Sequence, residues 1–487
     1  MFNSFILAAK AQIPQKEKAL DNQTPLEFEN LQNIENITPI YTHSYIRDDK
    51  KSPFSPKIKY DAKTQLGNDP PLKLSTSADV INYKKIPLSM AIEYALENNR
   101  DIKNIRLNIN VAKNDIKSAN RLKNPYIQSF FNTGTAATDN PNSVGLIVPV
   151  EIAKRSARKN LAKSSLELTK GSVALAELSL RLNVRQAYVN LVAAKSTLKI
   201  LNDQRLLLQD LVNISQKKYK AGAAPGMDVI HSKMTLNQLL LLENSARTNV
   251  LVERHKFNFL LASIDFDSIE DYLPEEKDFI FMLTPNPSGI MPDFEHVAEL
   301  AMSKRIDIKN AKQEIDVAKK NLINIARKRI PDIDIGGGYL FVPSELSTRD
   351  QVTMGVFAAL NITEIPLLYL HNPEIKNAKI LLNQKQINYE NVKHKALMDL
   401  HASYDAFITA QANLNYYNDI LLTESKQFLQ MARQSYLIGK ASITDYIFIE
   451  QSYRNIMISY TKALCDYYSS WINVLRDVQD EEFKLYE

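Results

Sequence analysis

Residues 161–189 read LAKSSLELTKGSVALAELSLRLNVRQAYV. Leu161, Leu168, Leu175, Leu182 and Val189 recur at every seventh position, and small residues stand four further on at Ser165, Ser172, Ser179 and Ala193. A seven-residue apolar period held over four heptads is the pattern of a supercoiled helix. The small residues let neighbouring backbones come close. No proline lies between Pro149 and Pro225, so one helix is expected from about residue 153 to 219. At 1.5 Å per residue it would run ~100 Å. No compact globular domain contains such a rod; it belongs to a coiled coil or to the wall of a tube.

Towards the C-terminus the helix breaks at Tyr219-Lys220-Ala221-Gly222-Ala223-Ala224-Pro225-Gly226 and resumes from Asp228 to about Ala262. Towards the N-terminus, Pro87 opens a helix that is expected to continue to just before Pro125. Two strands follow, at about 126–133 and 144–150, around the turn Thr138-Asp139-Asn140-Pro141-Asn142. The unit then occurs again. Asp101-Ile102-Lys103-Asn104 returns as Asp307-Ile308-Lys309-Asn310, and Pro125 as Pro331, each 206 residues on. Tyr188 matches Tyr404 at 216, while Tyr219, Gly222 and Asp228 match Tyr436, Gly439 and Asp445 at 217. The organisation expected is therefore an extended or disordered leader over 1–80, a first repeat over 81–273 with its turn at 219–228, a linker over 274–292, and a second repeat over 293–487. The second repeat has strands at about 333–341 and 352–361 and its turn at 436–445.

In the second hairpin Ile333, Ile335, Gly337, Tyr339 and Phe341 alternate with Asp334, Gly336 and Gly338. Each strand is about ten residues long, the length a tilted strand needs to cross a bilayer. Lipid on one face and water on the other would produce the alternation, as would a soluble sandwich. Four strands cannot close a barrel, and lipid does not tolerate an open edge. Closure requires several chains, and three would supply twelve strands.

Composition agrees with long helices. Only 12 of 487 residues are glycine, far below the usual share, and most of them lie in the hairpins and the two turns. The net charge of +5 shows no Lys/Arg block interleaved with aromatics, so nucleic acid is not an expected partner. Cys465 is the only cysteine, which excludes an intramolecular disulfide and a cysteine metal cluster. Met1–Ala11 has a short apolar stretch but neither a basic n-region nor a full h-region. Export would need a signal beyond this sequence or an atypical start. His394 and His401 are seven apart, too far for the i, i+4 pairing of a zinc helix. No phosphate loop, Gly-x-Ser-x-Gly or His-Glu-x-x-His is present. No catalytic residue, cofactor or metal is expected.

The paired Tyr-x-x-Gly-(five residues)-Asp turns resemble the periplasmic tips of the TolC-type outer-membrane efflux family, over roughly residues 85–480. Pro366 to Ala378 resembles that family's exit from its second hairpin, with Pro373 where glycine is usual and Leu370 where arginine is usual. Pro149-Val150-Glu151-Ile152-Ala153-Lys154-Arg155 resembles a segment of the heavy-metal efflux branch, with Ala153 where two glycines are usual. The resemblance implies a mainly α chain with a small β part, whose repeats build a long α-helical coiled-coil barrel and contribute four strands to a trimeric 12-stranded β-barrel. It implies a passive outer-membrane channel of a tripartite efflux or type I secretion system, reaching into the periplasm. Its partners would be two further copies, a periplasmic adaptor (membrane fusion) protein, an inner-membrane pump and outer-membrane lipid. It marks Tyr219, Gly222, Asp228, Tyr436, Gly439 and Asp445 as tip or gate residues, with six carboxylates near one axis in a trimer. Each aspartate also suits the N-cap of the helix after its turn, and each glycine a helix end with positive φ. The family's basic gate partner falls at Ala441, beside Lys440. A soluble coiled-coil scaffold is the alternative; it accounts for the heptads and leaves the two matched hairpins without a use.

Overall fold

The heptad stretch forms one helix. In the computed structural model, residues 83–130, 142–262, 271–275, 289–342, 351–360, 370–480 and 483–486 are described. The chain divides into two units, Met1–Thr76 and Ser77–Glu487, and the described residues all lie in the second. The leader, the turn at 138–141 and residues 361–369 of the second hairpin exit lie outside them.

Helices α1 (Leu88–Asn98) and α2 (Arg100–Ala119) lead into strands β2 (Tyr126–Phe130) and β3 (Asn142–Val150), then α3 (Lys154–Lys220) and α4 (Gly226–Leu261). The second round is α5 (Phe294–Lys304), α6 (Ile306–Ala326), β5 (Ile333–Val342), β6 (Gln351–Leu360), α7 (Asn372–Tyr416), α8 (Leu422–Leu437) and α9 (Ile443–Val478). Strands β1 (Tyr83–Ile86) and β4 (Asp271–Pro274) pair in parallel as a small separate sheet.

The single helix expected from Pro87 to Pro125 is two. It breaks at Asn99, whose Oδ1 accepts from the N–H groups of Asp101 (3.0 Å) and Ile102 (3.2 Å) and so caps α2. The same break recurs at Arg305, which cannot accept such bonds. There Gln479, from just beyond α9, supplies the acceptor: its Oε1 takes the N–H of Ile306 at 2.6 Å. The residue at the break also ties each round to its last helix. Asn99 donates to the carbonyl of Leu260 at 3.0 Å, and Arg305 at 2.7 Å to that of Asp477, which stands 217 residues after Leu260. The repeat is thus kept in the packing. Ala91, Ala95, Ile102 and Ala112 are buried, and so are Val297, Ala301, Ile308 and Ala318, 206 residues on.

Helix α3 is central. Its first half lies against α2 and α6, through Arg106–Glu177 (2.7 Å) and Ser164–Asp316 (2.6 Å). Its second half lies against α4 and α9, through Arg205–Glu243 (3.1 Å) and Gln186–Ser469 (2.7 Å). Helix α7 flanks α6 above and α9 below, where α8 also packs. Side by side, the helices run α2–α3–α6–α7 in the upper half and α4–α3–α9 followed by α7 and α8 in the lower. At Gly171 the side chain of Asn310 on α6 fills the space a Cβ would need: one built there would stand 1.8 Å from Oδ1 of Asn310. The heptad serines at 172 and 179 are exposed. A main core gathers Tyr188, Phe257, Phe407, Tyr467 and Trp471 at mid-length, and a smaller one gathers Leu208, Leu211, Leu239, Tyr436, Tyr446 and Ile447 near the turns.

Between α7 and α8 lies a single turn of wider π geometry, Tyr417–Leu421. The repeat offset is 216 at Tyr188/Tyr404 and at Asn202-Asp203/Asn418-Asp419, and 217 at Tyr219/Tyr436. The second copy therefore holds one extra residue in this span. A π turn is the form in which a helix absorbs one.

Candidate functional site

The two inter-helix turns have the same geometry. After α3, the N–H of Ala223 bonds the carbonyl of Lys218 (2.8 Å) and that of Gly222 the carbonyl of Tyr219 (2.9 Å). After α8, Lys440 bonds Ser435 (2.8 Å) and Gly439 bonds Tyr436 (3.1 Å). These paired bonds satisfy the last carbonyls of each helix and need a residue at positive φ; Gly222 has φ 71° and Gly439 φ 80°.

Neither aspartate is the N-cap. Pro225 and Ser442, both extended, hold the cap positions of α4 and α9, and Asp228 and Asp445 stand three residues later, inside the first turn. Asp445 is in a reciprocal capping box: its N–H donates to Ser442 Oγ (3.1 Å), and its Oδ2 accepts from Ser442 N (3.2 Å) and Oγ (2.7 Å). Asp228, half-buried, has no side-chain partner among the described residues. Both carboxylates stand where the helix dipole favours an anion.

The equivalent tyrosines have diverged. Tyr219 is 55% exposed, its ring over the backbone of Gly226. Tyr436 is 4% exposed and lies inside the joint between the two turns. Its hydroxyl is 3.3 Å from Ser215 Oγ, its ring stacks on Tyr446 at 5.9 Å, and Lys218 lies 4.1 Å over the ring while donating to its carbonyl. Arg433 pairs with Asp210 at 2.7 Å one turn away. Lys218 and Arg433, not Lys440, are thus the basic residues that join the hairpins. Sequence reading missed them because the partners lie more than 200 residues apart and share no period.

Farther up, Glu450 is fully buried with Arg454, 3.0 Å away on the same helix. Burial pushes its carboxyl up to about 7, against the pull of Arg454. Glu243 is similarly enclosed by Arg205 and Arg247, at 3.1 and 2.6 Å. The i, i+4 spacing of Glu450 and Arg454 was a visible signal for that pair. Among the described residues no group of three His, Cys, Asp or Glu could hold a metal, and no helix is long and apolar enough to cross a membrane.

The sheet runs β2-β3-β5-β6, antiparallel throughout. Directly paired residues share a face. The register aligns Ile127 with Leu146 and Gly337, Val148 with Ile335, and Val144 with Tyr339. Ile127, Val144, Leu146, Val148, Ile335 and Tyr339 are all exposed, so this face is an apolar surface open to its surroundings. The other face carries Gln128, Gly145, Gly338 and Gly355 at paired positions. A Cβ at Gly338 would lie 2.4 Å from the carbonyl oxygen of Val144. At the sheet's base, buried Asp332 pairs with Lys123 (2.6 Å) and Lys154 (3.0 Å), and Glu151 with Arg158 (2.8 Å). Ala153, which opens α3, has φ 59°, the left-handed conformation that glycine adopts freely.

An antiparallel four-stranded sheet with one apolar face, joined to helices of this length and order, is a specific architecture. Residues 91–262 match the family model described as outer membrane efflux protein. Solved structures of the same form include the CmeC outer membrane channel of Campylobacter jejuni, at 18% identity, TM-score 0.62, over 80% of this chain and 85% of that one. The fold is that of the outer-membrane efflux channels. The MtrE outer membrane channel of Neisseria gonorrhoeae, in its open state, is similar at 16% identity and TM-score 0.61, over 80% of this chain and 88% of that one. The outer membrane protein VceC of Vibrio cholerae follows at 15% and 0.61, over 80% and 95%. No curated protein sequence is matched. Neither comparison supports the soluble-scaffold alternative, and neither singles out the heavy-metal branch among these channels.

Proposed function

We propose that this chain is one of three protomers of an outer-membrane channel that conducts substrates passively from a periplasmic adaptor and inner-membrane pump to the exterior. The observation that carries the reading is where the exposed apolar side chains lie. The central helices expose few: Leu206 and Tyr219 on α3, Ile323 on α6 and Phe448 on α9. The helices that end the row expose many, including Met227, Ile230, Met234, Leu241 and Phe259 on α4, and Ile380, Ile387, Leu397, Met398 and Ile408 on α7. The sheet likewise ends at β2 and β6. Both layers thus have two edges suited to meet the opposite edge of another copy, and a closed ring removes them. Three copies give twelve strands, an even number within the usual range.

In such a ring the turns at 219–228 and 436–445 form the periplasmic end. Asp228 and Asp445 then contribute six carboxylates near the pore mouth, a cation-attracting ring. The joint built by Lys218, Tyr436, Asp210 and Arg433 holds each protomer's two hairpins together there. The pump supplies the energy. The resemblance of 149–155 to metal exporters makes metal ions the first cargo to try.

The test is to express the chain with a competent export signal, fractionate the envelope and weigh the detergent-extracted species, then record from it in planar bilayers. A trimer from the outer-membrane fraction that conducts supports the reading; a soluble monomer or dimer refutes it. Metal and drug sensitivity of a deletion strain then addresses cargo.

A further inference from the structure

The segments that lead from α2 into β2 and from α6 into β5 carry the same basic pair. Arg121 and Lys123 stand in the first, and Arg327 and Arg329 stand 206 residues on, with Lys328 between them. Three of the acids at this level are internal, and a fourth, Glu374 at the start of α7, is half-exposed beside His371. Asp332 is fully buried between Lys123 and Lys154, Glu151 takes both terminal nitrogens of Arg158 (2.8 and 3.0 Å), and buried Asp334 accepts from the Tyr126 hydroxyl at 3.1 Å. Arg327 and Arg329 are held by neutral acceptors, the carbonyls of Ala153 (2.8 Å) and Leu370 (2.7 Å), not by carboxylates. Arg121 and Lys328 are exposed, with no side-chain partner among the described residues. The surface at the foot of the sheet is therefore cationic. The residues that follow along the chain are those of the apolar strand face, beginning at Ile127 and Ile335.

We propose that this collar binds the headgroups of anionic phospholipid in the leaflet on the helical side of the membrane. The inference rests on the outer-membrane reading above. A lipid satisfies both halves of the surface at once. Its chains cover the apolar strands, and its phosphate meets the cations one step below. Arginine's planar fork suits a phosphate in two-point contact, and long basic side chains at a membrane edge extend towards the headgroups. Each basic side chain near an anionic surface is worth roughly fivefold in partitioning. The recurrence of the pair in both repeats would distribute the sites around a closed barrel.

The test uses the full-length chain, purified in detergent with equal amounts of phosphatidylglycerol and phosphatidylcholine, and native mass spectrometry of the retained lipids. The variant is Arg121→Gln with Lys328→Gln, two side chains that hold nothing else in place. Wild-type protein is expected to retain phosphatidylglycerol preferentially, and the double variant to lose that preference by roughly tenfold or more while keeping its oligomer mass and bilayer conductance. Equal retention by the two proteins overturns the proposal. A preference that persists in inorganic phosphate buffer supports a headgroup site, whereas one abolished by it marks a simple anion site and overturns the lipid assignment. A chain that forms no trimer and never inserts sinks both this inference and the channel reading. A conducting trimer with no lipid preference sinks this inference alone.

Discussion

Replacing Gly338 by alanine separates a packing requirement from a mere strand preference. The new Cβ would lie 2.4 Å from Val144 O, 2.6 Å from Gly145 Cα and 3.0 Å from the Val144 carbonyl carbon. Non-bonded heavy atoms prefer about 3.5 Å or more, so β3 and β5 must part by about 1 Å at this point. All three obstacles are backbone, so no side chain can rotate out of the way. Overpacking of this kind costs about 1–3 kcal/mol, and stretching one or two ladder bonds adds about 1 kcal/mol. About 2–4 kcal/mol per protomer is therefore expected. The neighbouring glycine supplies the control. A Cβ at Gly337 meets nothing closer than Gly355 O at 3.5 Å, so Gly337→Ala is expected to be neutral within about 0.5 kcal/mol. The assay is thermal unfolding of the detergent-extracted protein, followed by circular dichroism. If the two variants melt alike, the close approach of β3 to β5 is not what demands glycine.

Glu450 should make stability depend on pH. Its folded carboxyl titrates at about 7, above the 4.5 of an unburied glutamate, so the folded chain holds a proton that the unfolded chain releases. Stability then declines as pH rises from about 4.5 to 7, by up to about 3 kcal/mol. Glu450→Gln should flatten that slope in the melting temperature, and an unchanged slope would count against the assignment. Asp445→Ala should cost about 1 kcal/mol through its capping box and Asp228→Ala clearly less, by chemical denaturation. If both carboxylates line the pore mouth, the paired Asn variants should also lower cation preference, read as a shift in reversal potential. Gly171→Ala is expected to destabilise the wild type by driving Asn310 out of place. In an Asn310→Ala background it should instead stabilise by about 1 kcal/mol through helix propensity, a sign change that a thermal melt would show.

What could be read in advance was whatever is local or periodic. The heptad leucines imply α3, alternation implies the hairpin strands, and the isolated Gly222 and Gly439 mark the turns. What escaped depends on distant partners. The break at Asn99 has no proline or glycine to announce it, because the cap that makes it is a single polar side chain. At Arg305 the equivalent cap comes from Gln479, 173 residues along the chain from the Ile306 N–H it accepts. The parallel pair β1–β4 is four residues long, too short for a period to register. The aspartates were misplaced by three residues because Ser442 and Pro225, equally acceptable at a helix start, took the cap positions. The divergence of Tyr219 and Tyr436 follows from Lys218 and Ser215, which reach only one of them.

The π turn at Tyr417–Leu421 has a consequence for the ancestry of the chain. One residue added to an ordinary helix would swing everything beyond it by about 100° and turn the seam of α8 away from α9. Here the register matches α3 both above the turn, at Tyr404, and below it, at Tyr436. The wide turn acts as an expansion joint, confining the length change to five residues. The two repeats could therefore have been copied first and lengthened later, the addition leaving the helix faces on either side undisturbed.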